Sequence, residues 1–205
     1  MSTCDFLLLA AGKSSRMHQD KALLDFFGTT WIEAQVAEVK KSNLIQQLVI
    51  VDQPGKTQKY KDLLLRLENE SFKIHFVENT ESESSPSDSI ELAFQKNSFS
   101  QGVCLSPIDV PLKSSNLQLL LSSRATEIEI LKPSFQGQGG HPVWLSFSAI
   151  EKFRQAPRRL DEFLADFPLE QVRFVEFDSP EVRMNLNTPE EWQSFLNRGM
   201  EHPKR

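Results

Sequence analysis

The sequence predicts a three-layer α/β/α protein in which a mostly parallel sheet is covered by helices on both faces. Three observations support this prediction. Short apolar runs alternate with amphipathic helical segments, which is typical of successive βα units. The first run, residues 6–11, has the length and flanks of a buried parallel strand and stops at Gly12. Near residues 127–145, two strand-like segments flank a glycine-punctuated turn, which predicts an antiparallel excursion.

The remaining strands are predicted from apolar runs or alternating segments that lie between turn residues. They are expected at residues 48–51, 73–77, 103–105, 127–132, 141–145 and 172–177. Cys4 is placed before the first strand, and Cys104 near the end of a core strand. The acidic, serine-rich segment 78–88 has no large apolar side chain and is predicted to be a long loop.

Helices are predicted where apolar side chains recur every three or four residues after a capping residue or a proline. Thr30 is expected to cap a helix at 31–41, after a loop closed by Gly28. Pro189 is expected to open the last helix. The other predicted helices span 57–69, 89–96, about 114–121 with Ser114 or Ser115 as the cap, a short stretch capped by Ser148, and 160–167.

The composition indicates one domain spanning residues 1–205, long enough for a substantial core. With 28 Asp and Glu against 23 Lys and Arg, the formal net charge of −5 argues against general binding of nucleic acid or anionic membranes. A polyanionic ligand must therefore meet a local cluster of cations. No secretory signal or membrane-spanning segment is visible. Two cysteines without metal-ligand spacing predict reduced thiols and a cytoplasmic protein.

The segment after the first strand has the order strand, glycine, cationic loop and helix, by which α/β proteins present backbone amides to phosphates. Ala10 and Ala11 let a flat ligand approach the backbone, and Arg16 and Lys21 can neutralise charge that amides alone cannot. A Walker P-loop is excluded because position 7 is Leu. The dinucleotide fingerprint is excluded because positions 14 and 17 are Ser and Met. The alternative is a surface turn with two solvated cations.

Asp109 follows a predicted strand and stands between two prolines, which hold its carboxylate at the strand exit. A fixed carboxylate opposite a phosphate-binding loop is a suitable ligand for Mg²⁺. Asn187 lies just before the last helix and could supply a second oxygen. The alternatives are that Asp109 is only a turn residue and that Asn187 or Thr188 only caps the helix. For Asn187 both roles can hold if side chain and backbone divide the work.

The turn at residues 137–140 leads into the strand that begins with His141. Its three glycines allow close approach of the backbone to a ligand, and His141 could contact the phosphate of an acceptor. The alternative is a structural or solvated histidine. No nucleophilic triad is evident in the sequence.

These segments together resemble the molybdenum-cofactor nucleotidyltransferases, the MobA-like NTP transferases. The opening stretch resembles the pattern LAAGxSxRMGxxKxLL, with His18 where the pattern has glycine. The matching positions are Leu9, Ala10, Ala11, Gly12, Ser14, Arg16, Met17, Lys21, Leu23 and Leu24. Further matches, in order along the chain, are Asn79, Ser89, Asp109-x-Pro111-Leu112, Gly140-His141-Pro142 and Asn187-Thr188-Pro189-Glu190.

The resemblance implies a nucleotide-diphospho-sugar-transferase-like, Rossmann-like fold and a Mg²⁺-dependent nucleotidyltransferase. Such an enzyme moves a nucleoside monophosphate from GTP or CTP to the phosphate of molybdopterin or the molybdenum cofactor and releases pyrophosphate. Features of the guanylyl- and cytidylyltransferase branches are both present, so the base stays open. The alternatives are an acceptor that is a sugar 1-phosphate or a phosphoalcohol, and a nucleotide-binding protein with weakened catalysis. A molybdoenzyme or chaperone partner is also implied.

The resemblance also implies a role for each matched residue. Arg16, Lys21 and Asp109 would be catalytic, and Asp109 and Asn187 would hold the metal. The acceptor would be bound by Gly140, His141 and Pro142. The nucleotide would be bound by Leu9, Ala10, Ala11, Gly12, Lys13, Ser14, Ser15, Arg16, Lys21, Asn79 and Ser89.

Overall fold

The computed structural model describes residues 3–12, 15–17, 19–80 and 85–201. Ten strands lie in this part of the chain. They are β1 (Cys4–Leu9), β2 (Asp25–Phe26), β3 (Thr29–Thr30), β4 (Ile45–Asp52), β5 (Lys73–Glu78), β6 (Val103–Pro107), β7 (Ile130–Phe135), β8 (Gln138–Gly139), β9 (Val143–Leu145) and β10 (Val172–Glu176).

Seven α-helices connect the strands in the described part of the chain. They are α1 (Trp31–Lys41), α2 (Lys61–Leu65), α3 (Pro86–Lys96), α4 (Ser114–Ser122), α5 (Phe147–Gln155), α6 (Leu160–Ala165) and α7 (Pro189–Glu201). Short 3₁₀ helices occur at Ser15–Met17, Lys21–Leu23, Thr57–Lys59, Leu169–Gln171 and Pro180–Arg183. None of the described helices is both long enough and apolar enough to cross a membrane.

The main sheet has the strand order β10-β7-β9-β6-β1-β4-β5, with β8 paired to β7. Strand β1 pairs in parallel with both β4 and β6, and β5 and β10 also pair in parallel with their neighbours. Strand β9 runs antiparallel to β6 and to β7, and β8 runs antiparallel to β7. The mostly parallel sheet with an antiparallel excursion is therefore confirmed, because the excursion is the β7-β8-β9 segment.

Two apolar cores lie on opposite faces of the sheet. Along β1, the side chains of Phe6 and Leu8 belong to one core and the side chain of Leu7 belongs to the other, as the two-residue period of a strand requires. The first core is covered by α1, α2, α4 and α7, and the second by α3, α5 and α6. This arrangement confirms the three-layer α/β/α fold.

The start of α1 is as predicted from the sequence. Thr30 accepts a hydrogen bond from the backbone amide of Glu33, and the Glu33 carboxylate accepts one from the backbone of Thr30, which makes a capping box. Pro189 likewise begins α7. Local capping signals were sufficient at both positions.

Several predicted boundaries are wrong. The helix expected at 57–69 is reduced to a 3₁₀ turn and the short α2. Helix α3 begins at Pro86, inside the segment 78–88 that was predicted to be a loop, because Ser85 and Asp88 form a capping box. Residues 81–84 of that segment lie outside the described residues.

Further corrections concern helix caps and the starts of strands. Ser146, not Ser148, caps α5. Lys113 precedes α4 without a side-chain cap, and the Glu38 carboxylate accepts the hydrogen bond of the Ser114 amide instead. Cys4 is a buried residue of β1 rather than a residue that precedes it. The strands predicted at 127–132 and 141–145 begin later, at Ile130 and Val143.

Candidate active site

Two cavities adjoin at the carboxyl ends of β1 and β6, where ligands bind in open α/β sheets. The smaller has a volume of about 190 Å³ and the larger about 680 Å³. Both are lined by Leu9 and Pro107, the last residues of the two strands, and by Ser85 and Pro86 at the start of α3. The two cavities therefore form one cleft with two parts.

The loop that carries Asp109 is held from two sides. The Ile108 amide donates a hydrogen bond of 2.9 Å to the Leu9 carbonyl, which continues the pairing of β6 with β1. On the other side, the indole Nε1 of Trp31 in α1 donates to the Ile108 carbonyl at 2.7 Å, and Gln35 accepts from the Leu112 amide at 2.9 Å. Buried side chains of α1 thus hold this loop, in addition to the two prolines noted in the sequence.

Lys21 connects the opening loop to this carboxylate. Asp20 caps the 3₁₀ helix Lys21–Leu23 by accepting from the Ala22 amide. The Nζ atom of Lys21 lies 3.2 Å from Oδ2 of Asp109 and 2.6 Å from Oδ1 of Asn187. The Lys21 side chain is only 12% exposed, so its charge is held inside the cleft. The structure therefore brings together three of the predicted site residues.

In the segment before α7, the groups that cap the helix are different from the side chain that faces the site. The Thr188 hydroxyl accepts from the Glu191 amide, and the Glu191 carboxylate accepts from the backbone amides of Asn187 and Thr188. The Asn187 side chain is not used in the cap and contacts Lys21 instead. The Leu186 amide donates to the Asp109 carbonyl at 2.8 Å, which fixes this segment beside the Asp109 loop. Backbone and side chain therefore divide the two roles.

The residues around Asp109 fit a divalent cation. Its Oδ1 atom is buried and has no hydrogen-bond partner in the described part of the chain, although a buried carboxylate oxygen normally has one. Oδ2 of Asp109 and Oδ1 of Asn187 both face the cation of Lys21. One carboxylate and one amide suit Mg²⁺, which keeps several waters and takes few protein oxygens. Among the described residues no group of three His, Cys, Asp or Glu could hold a metal instead.

Asn79 and Ser89 are also brought together. The amide Nδ2 of Asn79 donates to the Ser89 hydroxyl at 3.0 Å, and both side chains are buried. The backbone amide of Asn79 donates to the Asp52 carbonyl, at the ends of β4 and β5. Ser89 lines the smaller cavity and Asn79 does not. Ser89 is therefore the member of the pair that a ligand in the cavity would contact.

The predicted phosphate loop is described in part. Ala11, Gly12 and Lys21 line the smaller cavity. Ala10 is buried, and Arg16 is exposed and does not line either cavity. Ser15 begins a 3₁₀ helix, while Lys13, Ser14 and the family departure His18 lie outside the described residues.

The larger cavity contains Gly140 and His141, and Pro142 is buried outside it. A Cβ at Gly140 would lie 2.0 Å from the Val182 carbonyl oxygen, and the His141 amide donates to that same oxygen at 2.7 Å. The glycine therefore permits a close approach to the chain's own backbone. A close approach to a ligand, as expected from the sequence, is not what requires it.

His141 lines the larger part of the cleft but not the smaller part. Burial lowers the pKa of its imidazole below 6.5, the nearby Asp109 carboxylate raises it, and the Lys132 ammonium lowers it. Its Nδ1 atom is buried and has no hydrogen-bond partner among the described residues. A neutral imidazole donates one hydrogen bond and accepts another; the Leu105 backbone takes up one of them, so Nδ1 is the atom left for a ligand in the larger cavity.

Comparison with known protein families gives one match. The model of the MobA-like NTP transferase domain matches residues 6–172. The chain belongs to the MobA-like NTP transferase family. It is therefore a nucleotidyltransferase, an enzyme that uses a nucleoside triphosphate. A comparison with curated proteins gives no significant match.

Solved structures share the fold of this MobA-like protein. A Mycobacterium tuberculosis Rv0371c homologue from Mycobacterium sp. strain JC1 has a TM-score of 0.74 at 21% identity, over 96% of each chain. Rv0371c of M. tuberculosis H37Rv in complex with manganese has a TM-score of 0.70 at 18% identity, over 96% of this chain and 100% of that one. The inositol-1-phosphate CTP transferase from T. maritima has a TM-score of 0.69 at 13% identity, over 100% and 99%. Similarities at these identities show the fold alone.

Sequence analysis of this MobA-like chain missed several residues of the cleft. Ser85 and Pro86 line both cavities, and the capping box that places them was readable in the sequence as Ser85 followed by Asp88. Lys132 and Arg183 line the larger cavity. No local pattern identifies these two cations, because only the folded chain brings them to the same wall.

Proposed function

We propose that this enzyme transfers a nucleoside monophosphate from GTP or CTP to the phosphate of molybdopterin or the molybdenum cofactor. The observation that carries the proposal is the position of Lys21, whose ammonium group contacts both Asp109 and Asn187 in a cleft with two adjoining parts. The smaller part would take the triphosphate beside Gly12, and the larger part would take the acceptor beside His141.

The reaction needs no strong base. An oxygen of the acceptor phosphate attacks the α-phosphorus of the triphosphate and forms a new P–O bond. The bond between the α-phosphorus and the oxygen bridging to the β-phosphorus breaks, and its electron pair leaves with pyrophosphate. Because the acceptor oxygen is already anionic, positioning and neutralisation of charge provide most of the catalysis.

Each predicted residue has a role in this proposal. Backbone amides at residues 12–15, together with Arg16 and Lys21, would hold the phosphates and stabilise the leaving pyrophosphate. Asp109 and Asn187 would hold Mg²⁺, which when bound supplies positive charge at the α-phosphate. The other expected contacts are Leu9, Ala10, Ala11, Lys13, Ser14, Asn79 and Ser89 to the nucleotide, and Gly140, His141 and Pro142 to the acceptor.

The base, the acceptor and the metal are each supported by a separate observation. CTP is supported by the fold shared with the T. maritima CTP transferase, whose acceptor is inositol 1-phosphate. That relative also supports the second candidate function, transfer to a sugar 1-phosphate or a phosphoalcohol. Mg²⁺ as the metal is supported by the carboxylate and amide oxygens, and a divalent ion in general by the manganese complex of Rv0371c.

We further propose that residues 1–205 form one domain and that the protein acts in the cytoplasm. Buried, unpaired Cys4 and Cys104 are consistent with a reducing compartment. A molybdoenzyme or its chaperone would receive the product. The proposal includes no nucleic-acid or membrane partner.

The deciding experiment measures pyrophosphate release from GTP, CTP and ATP with Mg²⁺, with and without molybdopterin, and with inositol 1-phosphate as the competing acceptor. Release that requires molybdopterin and one of GTP or CTP is expected. Release with inositol 1-phosphate alone would replace the first function by the second, and no release from any triphosphate would favour a binding protein. Thermal stabilisation by each triphosphate with Mg²⁺ identifies the base independently of turnover.

A further inference from the structure

Two cationic side chains without an ion-pair partner among the described residues line the larger cavity. Lys132 and Arg183 line it, and neither has a carboxylate within ion-pair distance in the described part of the chain. Arg159, at the same cavity, is paired with Asp161 at 3.0 Å and is 70% exposed. In a chain with a net charge of −5, two cations in one cavity that have no ion-pair partner among the described residues are a specific feature.

The side chains of Lys132 and Arg183 both pass close to the glycine turn. The Lys132 side chain passes over Gly139, where a Cβ would lie 2.4 Å from its Cε and 3.2 Å from its Nζ. The Arg183 side chain passes the next residue, with its Cγ 3.2 Å from the position of a Cβ at Gly140. Consecutive residues of one turn thus contact both side chains, which come from β7 and from the 3₁₀ helix Pro180–Arg183.

The remaining walls of this cavity are mostly apolar. Leu9, Ile90, Leu105, Val143, Leu160 and Leu164 line it. A cavity lined by apolar side chains and two cations suits a ligand with a flat or aliphatic body and a compact anion at one end. The His141 imidazole lines the same cavity and is near enough to both Lys132 and Asp109 for each charge to shift its pKa.

We propose that Lys132 and Arg183 form the anion-binding pair that receives the phosphate monoester of the acceptor. This inference rests on the proposed function and adds the residues that bind the acceptor's phosphate, Lys132 and Arg183. Arg183 supplies a planar fork of donors and Lys132 a point charge, which together can hold one phosphate and still leave an oxygen to react. The pair acts as a determinant of acceptor specificity.

The test measures binding of 1-naphthyl phosphate by calorimetry to the wild-type chain and to the variants Lys132→Met and Arg183→Gln. Each variant is expected to lose about tenfold in affinity, as for the loss of one charge-assisted hydrogen bond. Lys132→Arg should restore most of the affinity because it keeps the charge. 1-Naphthol, which lacks the phosphate, should bind far more weakly than the phosphate.

Lys41→Met is the control, since Lys41 is 64% exposed, pairs with Glu38 and does not line this cavity, and its affinity should stay within about twofold. Unchanged affinity in Lys132→Met and Arg183→Gln, no binding by the wild-type chain, or a loss seen only in Lys21→Met would each overturn the proposal. A chain that binds 1-naphthyl phosphate through Lys132 and Arg183 yet releases no pyrophosphate with molybdopterin would refute the proposed function and leave this inference standing.

Discussion

The Nζ atom of Lys21 lies 2.6 Å from Oδ1 of Asn187, although 166 positions separate the two residues. The contact joins the opening loop to the segment before the last helix, and Asp109 completes the group at 3.2 Å. The oxygens of Asp109 and Asn187 therefore converge on one positively charged group, the Lys21 ammonium. The same convergence is what a divalent ion requires.

Replacing Lys21 with Met should reduce kcat. If Lys21 meets charge that develops on the leaving pyrophosphate, about 2–4 kcal/mol of transition-state stabilisation is lost. Steady-state pyrophosphate release measures this. The control is Lys41→Met, because Lys41 is 64% exposed in a surface pair with Glu38. An effect confined to KM would instead make Lys21 a residue of uniform binding.

Replacing Asp109 with Ala should abolish turnover while the triphosphate still binds weakly, because binding also draws on the opening loop. Turnover is measured by pyrophosphate release and binding by thermal stabilisation. Asp166→Ala is the matched control, since that carboxylate is 61% exposed and pairs with Arg158 at the surface. An Asp109→Ala variant with unchanged kcat would end the assignment of this residue.

Asn187 and Thr188 should be separable by mutation. Asn187→Ala should raise the Mg²⁺ concentration for half-maximal activity by about tenfold or more. It should leave stability nearly unchanged, because the cap of α7 is made by Thr188 and Glu191. Thr188→Ala should leave the Mg²⁺ requirement nearly unchanged and lower the free energy of unfolding by about 1 kcal/mol. If Asn187→Ala left the metal titration unchanged, its role would be limited to positioning Lys21.

Gly140→Ala should lower the free energy of unfolding by about 1–3 kcal/mol, because the new methyl group would overlap the Val182 carbonyl. Urea unfolding measures the change. Gly12→Ala is the matched control, since a Cβ there meets nothing within 4 Å, and its stability should stay within about 0.5 kcal/mol of the wild type. Equal stabilities for the two variants would show that the turn moves away from Val182 readily.

Stability should depend on pH through Asp52. Burial raises the pKa of its carboxyl from 3.8 to about 6, and hydrogen bonds from the Tyr60 hydroxyl and the Gln53 amide offset part of that rise. Between these values the folded state holds more protons on Asp52 than the unfolded state, so its contribution to stability is present at low pH and is lost as pH rises.

The free energy of unfolding of the wild type minus that of Asp52→Asn isolates this effect, because other groups titrate alike in both proteins. The difference should fall by about 1 kcal/mol or more between pH 4 and 6. Urea unfolding at several pH values gives the curve. A flat difference would mean that Asp52 titrates at its ordinary value.

The strands and the first helix could be predicted because their signals are local. Thr30 and Glu33 carry the capping box of α1, and the apolar run before Gly12 is buried on both faces of the sheet. The helix predicted at 57–69 was wrong, because its leucine spacing continues past Leu65, where α2 ends. The start of α3 at Pro86 was not predicted, because the acidic, serine-rich composition indicated a loop although Ser85 and Asp88 form a capping box there.

The site was only partly readable for a different physical reason. That Gly12 and Asp109 lie at one edge follows from the rule that parallel strands end together, and both line the smaller cavity. Which side chains meet within that edge depends on long-range packing. Lys132 and Arg183 belong to segments with no recognisable motif, and the hydrogen bond from Trp31 to the Ile108 carbonyl joins residues 77 positions apart.

The start of the last helix satisfies its own backbone amides through Glu191 and needs nothing from the Asn187 side chain. A protein engineer could therefore exchange this amide for a carboxylate without rebuilding the scaffold that presents it. If Asn187 holds the metal as proposed, the ion preference of the enzyme and its resistance to heat can be adjusted independently at this one position.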